Sequence, residues 1–446
     1  MRRALTTFML LLSSPLFANT IPTEEFTLAN GLKVLVREDH RSPVATVQLW
    51  YKIGSSYEHN GNTGLSHLLE HMMFQGTKAF PEGKFDSLIL GAGGELNAFT
   101  SYDFTGYYES LPANQLEIAF QLEADRMRNI DFSRASFDRE LQVVIEERRM
   151  RVDDNPQQLA YERFQGVAFL TSPYRNPVIG WGPDIRQLSY DSAFDWYNRW
   201  YYPNNATLIV VGDVDPKAIR SMAEKYFGAI PHKTITPTFS TPELPSLGER
   251  RMDIGVNITL PELFMSMTVP SYTSATEQDD AIVMALLTQI LDGGLSARFE
   301  TSLVRNQNLA STISTSYSPF TRLSSGFEID AVPQKGVTLD ALEKAIWDEI
   351  TALTTTPVTK EELARAKMRF KADYVFGQDD IANQAMEIGS LESIGLSYQD
   401  KEAFLKAIEK IDANDVQTVA KRYLTRENTT VARLIPTPPA HQEPTL

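Results

Sequence analysis

Between residues 65 and 75 the apolar positions fall at Leu65, Leu68, Leu69, Met72 and Met73. This is the i, i+3, i+4, i+7, i+8 spacing of one helical face. His67, Glu70, His71 and Phe74 fall on the opposite face. A helix that is apolar behind and carries His and Glu in front suits the wall of a cleft. Upstream, two strand-like runs at 25–36 and 44–53 predict an opening hairpin, and Asn30-Gly31 marks a tight turn inside the first. Downstream, the pattern predicts a helix from Pro81, strands between 95 and 110, and helices over 115–127 and 136–152.

The pattern repeats late in the chain. A helical stretch at 191–199 runs through Trp200, Tyr201 and Tyr202 into a β-branched strand at 206–211. A second helical stretch at 413–421 runs through Tyr423 into a similar strand at 429–435. Between the two halves lies a stretch with Pro231, Pro237, Pro242 and Pro245 among Ser and Thr, which reads as an extended linker. A duplicated α/β domain is therefore expected: 22–230, a linker over 231–250, and 251–436. A proline-rich tail at 437–446 is expected to be disordered. No G-x-G-x-x-G turn occurs, and Gly91-Ala92-Gly93-Gly94 lacks the Lys-Ser/Thr of a phosphate loop.

Composition narrows the class. The 446 residues are 42% hydrophobic and 22% charged, the range of a soluble protein with more than one domain. Arg2 and Arg3, an apolar run at 4–12 and a Pro-Leu-Phe-Ala stretch at 15–18 predict a secretory signal at 1–18. That run is short for a membrane anchor, and no later stretch approaches the ~20 apolar residues of a span. The chain has no cysteine, which excludes disulfides and an N-terminal lipid-modified Cys. Export without disulfides points to a self-sufficient core in a bacterial periplasm. The formal charge is −15, and loss of Arg2 and Arg3 makes it more negative, which argues against nucleic-acid binding.

The chemistry concentrates at His67-Leu68-Leu69-Glu70-His71. Two imidazoles four apart on a helix lie side by side, as a tetrahedral zinc ion requires. Glu70 stands next to them, placed to take a proton from a water. The order H-x-x-E-H is the reverse of H-E-x-x-H and defines the inverzincin motif. Only six His occur, and the other four (His40, His59, His232, His441) have no such pairing. A carboxylate is thus the expected third ligand, with Glu140, Glu146 and Glu147 as candidates. Glu140 and Glu147 are two helical turns apart and share a face, while Glu146 and Arg148 point elsewhere. Glu147 as ligand and Glu140 as an orienting group make a consistent arrangement.

These segments resemble the M16 (pitrilysin/insulinase) zinc peptidases. The run from Gly64 to Thr77 is similar to that family's active-site helix, and Gly94-Glu95-Leu96-Asn97-Ala98-Phe99-Thr100-Ser101 to its substrate-flanking strand. The pair Glu140 and Glu147 resembles its downstream glutamate motif. The length resembles the M16B branch that includes mitochondrial processing peptidase subunits. The resemblance implies two homologous α/β domains of the LuxS/MPP type, an α+β fold in which each mainly antiparallel sheet is packed with helices. Together they form half of a clamshell. It implies one Zn²⁺ per chain on His67, His71 and Glu147, with Glu140 in support and Glu70 as catalytic base. It implies an extended peptide or unfolded protein pairing with Asn97, Ala98, Phe99 and Thr100 by β-augmentation.

One departure bears on partners. Active members carry an Arg and a Tyr, seven apart, in the second half of the clamshell. Alignment on Leu309-Ala310 places Val304 and Ser311 there; alignment on Arg305 gives Thr312, and Tyr317 is off register. The resemblance therefore implies a zinc metalloendopeptidase subunit working beside an M16 paralogue that supplies Arg and Tyr, with a homodimer as the other assembly. Two further readings stand beside it: a catalytically silent zinc-binding assembly or chaperone-like subunit, and another metal hydrolase such as an amidase.

Overall fold

A computed structural model describes residues 22–236 and 241–437. The expected signal at 1–18, part of the linker and nearly all of the tail at 437–446 lie outside the described residues.

Gly31, at φ 89°, makes the turn that pairs β1 (Thr23–Thr27) with β2 (Lys33–Glu38). The first half continues through β3 (Val44–Tyr51), α1 (Leu65–Met72), α2 (Lys84–Gly91), β4 (Glu95–Thr100) and β5 (Thr105–Pro112). It closes with α3 (Leu116–Asn129), α4 (Arg134–Arg148), α5 (Pro156–Ala168), α6 (Gly182–Ile185), α7 (Tyr190–Trp200), β6 (Ala206–Gly212) and α8 (Pro216–Phe227). The sheet order is β1-β2-β6-β3-β5-β4. The runs at 25–36 and 44–53 are thus not neighbours: β6 enters between β2 and β3, parallel to the first and antiparallel to the second. The expected pairing failed because β6, buried along its whole length, comes from far along the chain and takes the central place.

The second half runs β7 (Arg250–Val256), β8 (Glu262–Val269), α9 (Gln278–Asp292), β9 (Ala310–Ser316), β10 (Ser325–Pro333) and α10 (Leu339–Thr355). It ends with α11 (Lys360–Gly377), α12 (Ile381–Ser393), α13 (Tyr398–Ile408), α14 (Ala413–Tyr423) and β11 (Thr429–Pro436). Its sheet order, β7-β11-β8-β10-β9, repeats that of the first sheet without β1. The β7–β11 pair is parallel and the others antiparallel, matching β2–β6 and its neighbours. The α7–β6 and α14–β11 units occupy equivalent places, which is the repeat visible in the sequence. The helix after β8 differs in kind from the one after β3: α9 carries no His and buries Ala281, Val283, Met284, Leu286 and Leu287.

Each half lends a helix to the other. In the first, α5 packs Ala160 and Phe164 on Phe264, Ala432 and Leu434 of the second sheet. In return α12 packs Ala385 and Ile388 on Leu35, Trp50, Ile209 and Val211 of the first. Gly389 permits this approach: a Cβ there would stand 2.1 Å from the Trp50 ring. Lys33 and Glu392 form an ion pair at 2.9 Å across the same junction. The linker is docked too: Glu243 accepts the backbone N–H groups of Leu170, Thr171 and Ser172 at 2.8, 2.9 and 2.9 Å. Among the described residues no helix is long and apolar enough to cross a membrane.

Candidate metal centre

The apolar back of α1 (Leu65, Leu68, Leu69, Met72, Met73) is buried in the first core, as its spacing requires. The helix starts at Gly64, at φ 93°, without a capping side chain of its own. Its free N–H groups go instead to Glu58, which accepts from Gly64 at 2.7 Å and Ser66 at 2.6 Å. Burial pushes the Glu58 carboxyl up to about 8, and these two bonds oppose that rise. Asp184 holds the approach loop by accepting from Gly61 N–H at 3.0 Å and the Thr63 hydroxyl at 2.7 Å.

On the front of α1, His67 Nε2 stands 3.5 Å and His71 Nε2 3.2 Å from the same atom, Glu147 Oε2 of α4. Ligand atoms bound ~2.0–2.1 Å from a tetrahedral zinc stand about 3.3 Å from one another, so these spacings fit the edges of such a site. Glu147 Oε2 is buried and, among the described residues, has no hydrogen-bond partner, an orphan acceptor aimed between two imidazoles. The three donors lie within 4.8 Å of one another. Glu140 Oε2 is 3.5 Å from His71 Nδ1, behind the donor nitrogen. Arg151 Nη1 is 2.9 Å from Glu147 Oε1, leaving Oε2 for the site. Glu146 lies off the donor cluster, paired with Arg149 at 2.9 Å.

The electrostatics follow from these contacts. Burial, and then the neighbouring His71 charge, lowers His67 to about 4. Burial also depresses His71, but its contacts with Glu140 and Glu147 outweigh that and carry it up to about 9. Glu147 is lowered, first by His71. Burial raises Glu70, and a hydrogen bond from Thr100 opposes the rise. A cation between the donors would replace the proton on His71 and satisfy the orphaned oxygen, so the residues fit zinc.

Beside α1, β4 is an edge strand of the first sheet and, among the described residues, pairs only with β5. Thr100 and Glu70 meet through their side chains at 2.5 Å. Ala98 N–H is held by the Asn97 side chain at 2.9 Å, so a peptide pairing there must displace Asn97. The Phe99 ring turns away and packs on Trp50, ring centres 4.9 Å apart. These residues line a cavity of about 1420 Å³ with His67, Glu70, His71 and Glu147. Every residue lining it lies between His67 and Ile179, within the first half.

The positions in the second half that resemblance singled out contribute nothing to this wall. Val304 packs on the second core, and Ser311 is exposed at the start of the edge strand β9. Tyr317 donates its hydroxyl to the Pro270 carbonyl at 2.7 Å, and Arg305 bonds to the Leu295 carbonyl. Sequence reasoning missed Glu58, Asp184 and Arg151. Spacing gave no sign of Glu58 and Asp184, which act through contacts between separate elements, whereas Arg151 stands at i+4 from Glu147, a pairing that helical spacing does offer.

Residues 33–181 match the family model described as Insulinase (Peptidase family M16), and residues 187–370 the one described as Peptidase M16 inactive domain. Among curated proteins, the chain is 30% identical to the zinc protease PqqE of Helicobacter pylori over 356 residues, covering 79% of each chain. It is 25% identical to the mitochondrial-processing peptidase subunit beta of Lentinula edodes over 420 residues, covering 90% of this chain and 87% of the other. A solved protease from Helicobacter pylori superposes with a TM-score of 0.87 at 27% identity, over 93% of this chain and 100% of that one. The periplasmic protease PqqL of Escherichia coli shares the fold, with a TM-score of 0.78 at 18% identity, over 93% of this chain and 48% of that one. The fold and site define a zinc-protease-like protein with two M16 domains. The chain belongs to the M16 (insulinase) peptidase family.

Proposed function

We propose that this protein is a zinc-dependent endopeptidase that hydrolyses bonds in extended peptides or unfolded proteins. The observation that carries the reading is the orphaned Glu147 Oε2 facing both His67 and His71, with Glu70 on the same helix face. Zinc, when bound, lowers the pKa of a water to near neutrality and polarises the substrate carbonyl. His67, His71 and Glu147 would hold it. Glu140 holds His71 from behind and fixes its ring. Glu70 accepts a proton from the attacking water and returns it to the leaving amine. The open edge of β4 aligns the substrate as an added strand.

The lining of the cavity by the first half alone supports a further step: the opposing wall comes from a second chain. Val304 and Ser311 stand where a substrate-binding Arg and Tyr would be, which favours a partner of the same family that carries both over a homodimer. The expected leader at 1–18, together with a periplasmic neighbour in fold, favours export to a bacterial periplasm.

Cleavage of an unfolded peptide library by the chain, with and without the partner and with and without chelator, tests the reading. Zinc-dependent cleavage that rises on adding the partner is expected. No cleavage by the paired, zinc-loaded complex would leave the silent assembly subunit as the better account. Full activity of the isolated chain would remove the need for a partner.

A further inference from the structure

The residue after Glu147 faces away from the donors and into the protein. Arg148 has a side chain only 5% exposed, and its Nη1 donates to Glu162 Oε2 at 2.6 Å and to the Gly180 carbonyl at 2.7 Å. Its Nη2 donates to Glu162 Oε1 at 3.1 Å and lies 3.1 Å from Asp153 Oδ1. Asp153 reaches back because the helix widens into a π turn over Arg149–Asp153, directly behind Glu147. Glu162, on α5, is as buried as its partner.

Gly180 is the far end of this contact. A Cβ on Gly180 would stand 2.5 Å from the Thr63 carbonyl oxygen and 2.7 Å from Gly64 Cα. Gly64 answers in kind, since a Cβ there would lie 2.7 Å from the Ile179 carbonyl oxygen. Gly64 is the N-cap of α1, three residues before His67. The two backbones therefore touch without a side chain between them, and φ values of 90° and 93° make both positions glycine sites. One guanidinium thus joins the back of Glu147 to the seat of the helix that carries both imidazoles.

We propose that Arg148, held by Glu162, is the positioning residue that sets the separation between Glu147 and the His67–His71 pair. The proposal rests on the reading of those three residues as the metal ligands. Glu147 and the two His come from different helices, and no direct covalent or helical repeat fixes their distance. The two helices pack on each other in the first core, and the Arg148 fork braces that packing through two contacts, one on α5 and one on the loop beneath Gly64. A planar fork is needed: the single ammonium of a Lys cannot hold both Glu162 oxygens and the Gly180 carbonyl in one plane. Without Arg148 the buried Glu162 carboxylate is left with the longer, 3.4 Å contact to Arg163, and the loop under α1 is free to shift.

The test measures zinc affinity of the full chain by competition with a chromophoric chelator, alongside melting temperature with and without zinc. Outer residues that orient ligands typically change metal affinity by roughly 10–100-fold when removed. Arg148→Met and Glu162→Gln should weaken zinc by that order, and Arg148→Lys should fall between them and the parent. Glu392→Gln serves as the control, because its carboxylate is as buried as that of Glu162 but pairs with Lys33 at the junction of the halves. It should lower the melting temperature and leave zinc affinity unchanged. Should Arg148→Met not fold, Arg148→Lys and Glu162→Gln carry the test. Unchanged zinc affinity in folded Arg148→Lys and Glu162→Gln overturns the proposal, as does an equal loss in Glu392→Gln. His71→Ala, measured in parallel, reports on the ligand assignment itself: retained zinc there refutes that reading, whatever Arg148 does.

Discussion

Thr100 Oγ1 donates to Glu70 Oε2 across 2.5 Å, so the strand that would receive a peptide is bonded to the residue that would move the proton. Burial raises the Glu70 carboxyl and this bond lowers it. Thr100→Val removes the donor with little change of shape, so the pKa of Glu70 rises further. The base works unprotonated, and the acid limb of kcat/KM should therefore move to higher pH. A pH–rate profile that stays in place would show that the hydroxyl does not tune the base. Glu70→Gln should keep zinc by elemental analysis and lose about 10²–10⁴-fold in turnover.

Zinc affinity should depend on pH through His71. In the metal-free protein its pKa is carried up to about 9. Zinc needs the neutral imidazole, so binding below that pH must expel a proton. The apparent dissociation constant should fall by about tenfold for each pH unit from 7 towards 9 and then level off. A flat profile over that range would mean that Glu140 and Glu147 do not hold a proton on His71. His67, lowered to about 4, adds no further slope there.

Half of the legible content of this chain lay in one helix. The spacing of Leu65, Leu68, Leu69, Met72 and Met73 gave both the buried face and the side on which His67, Glu70 and His71 stand. The late repeat was legible because α7–β6 and α14–β11 are each contiguous in sequence. Strand order was not, since β6 reaches the centre of its sheet from more than a hundred residues away and local pattern carries no such information. The same limit hid Arg148. Its neighbour Glu147 was found from its distance to Glu140, but the partners of Arg148 are a carboxylate on α5 and a carbonyl beside Gly64. Glu58 was hidden by type: a buried Glu in a Gly/Asn-rich loop looks like a surface residue until its two N–H partners are in view.

Glu58→Ala should strand the N–H groups of Gly64 and Ser66 in a buried site. Each unsatisfied group costs about 1–3 kcal/mol, so the melting temperature should drop by several degrees. Glu58→Gln keeps an acceptor for one of the two and should fall in between. Equal stability of all three proteins would show that α1 needs no acceptor at its start.

At the junction of the halves, Gly389→Ala places a methyl group 2.1 Å from the Trp50 ring. Overpacking of this kind costs about 1–3 kcal/mol, visible as a lower denaturant midpoint. A Trp50→Phe change in the same chain should relieve part of that cost. If Gly389→Ala is neutral on its own, α12 is not seated as closely as described.

The exchange of α5 and α12 also orders events during folding. The first sheet can pair as soon as β6 takes its place, yet Leu35, Trp50, Ile209 and Val211 stay uncovered until α12 docks from the second half. Until then the first half carries an apolar face with no partner, a natural holding point for a chaperone. The last strand in sequence, β11, enters between β7 and β8, so the second half cannot close until its C-terminal segment is in place.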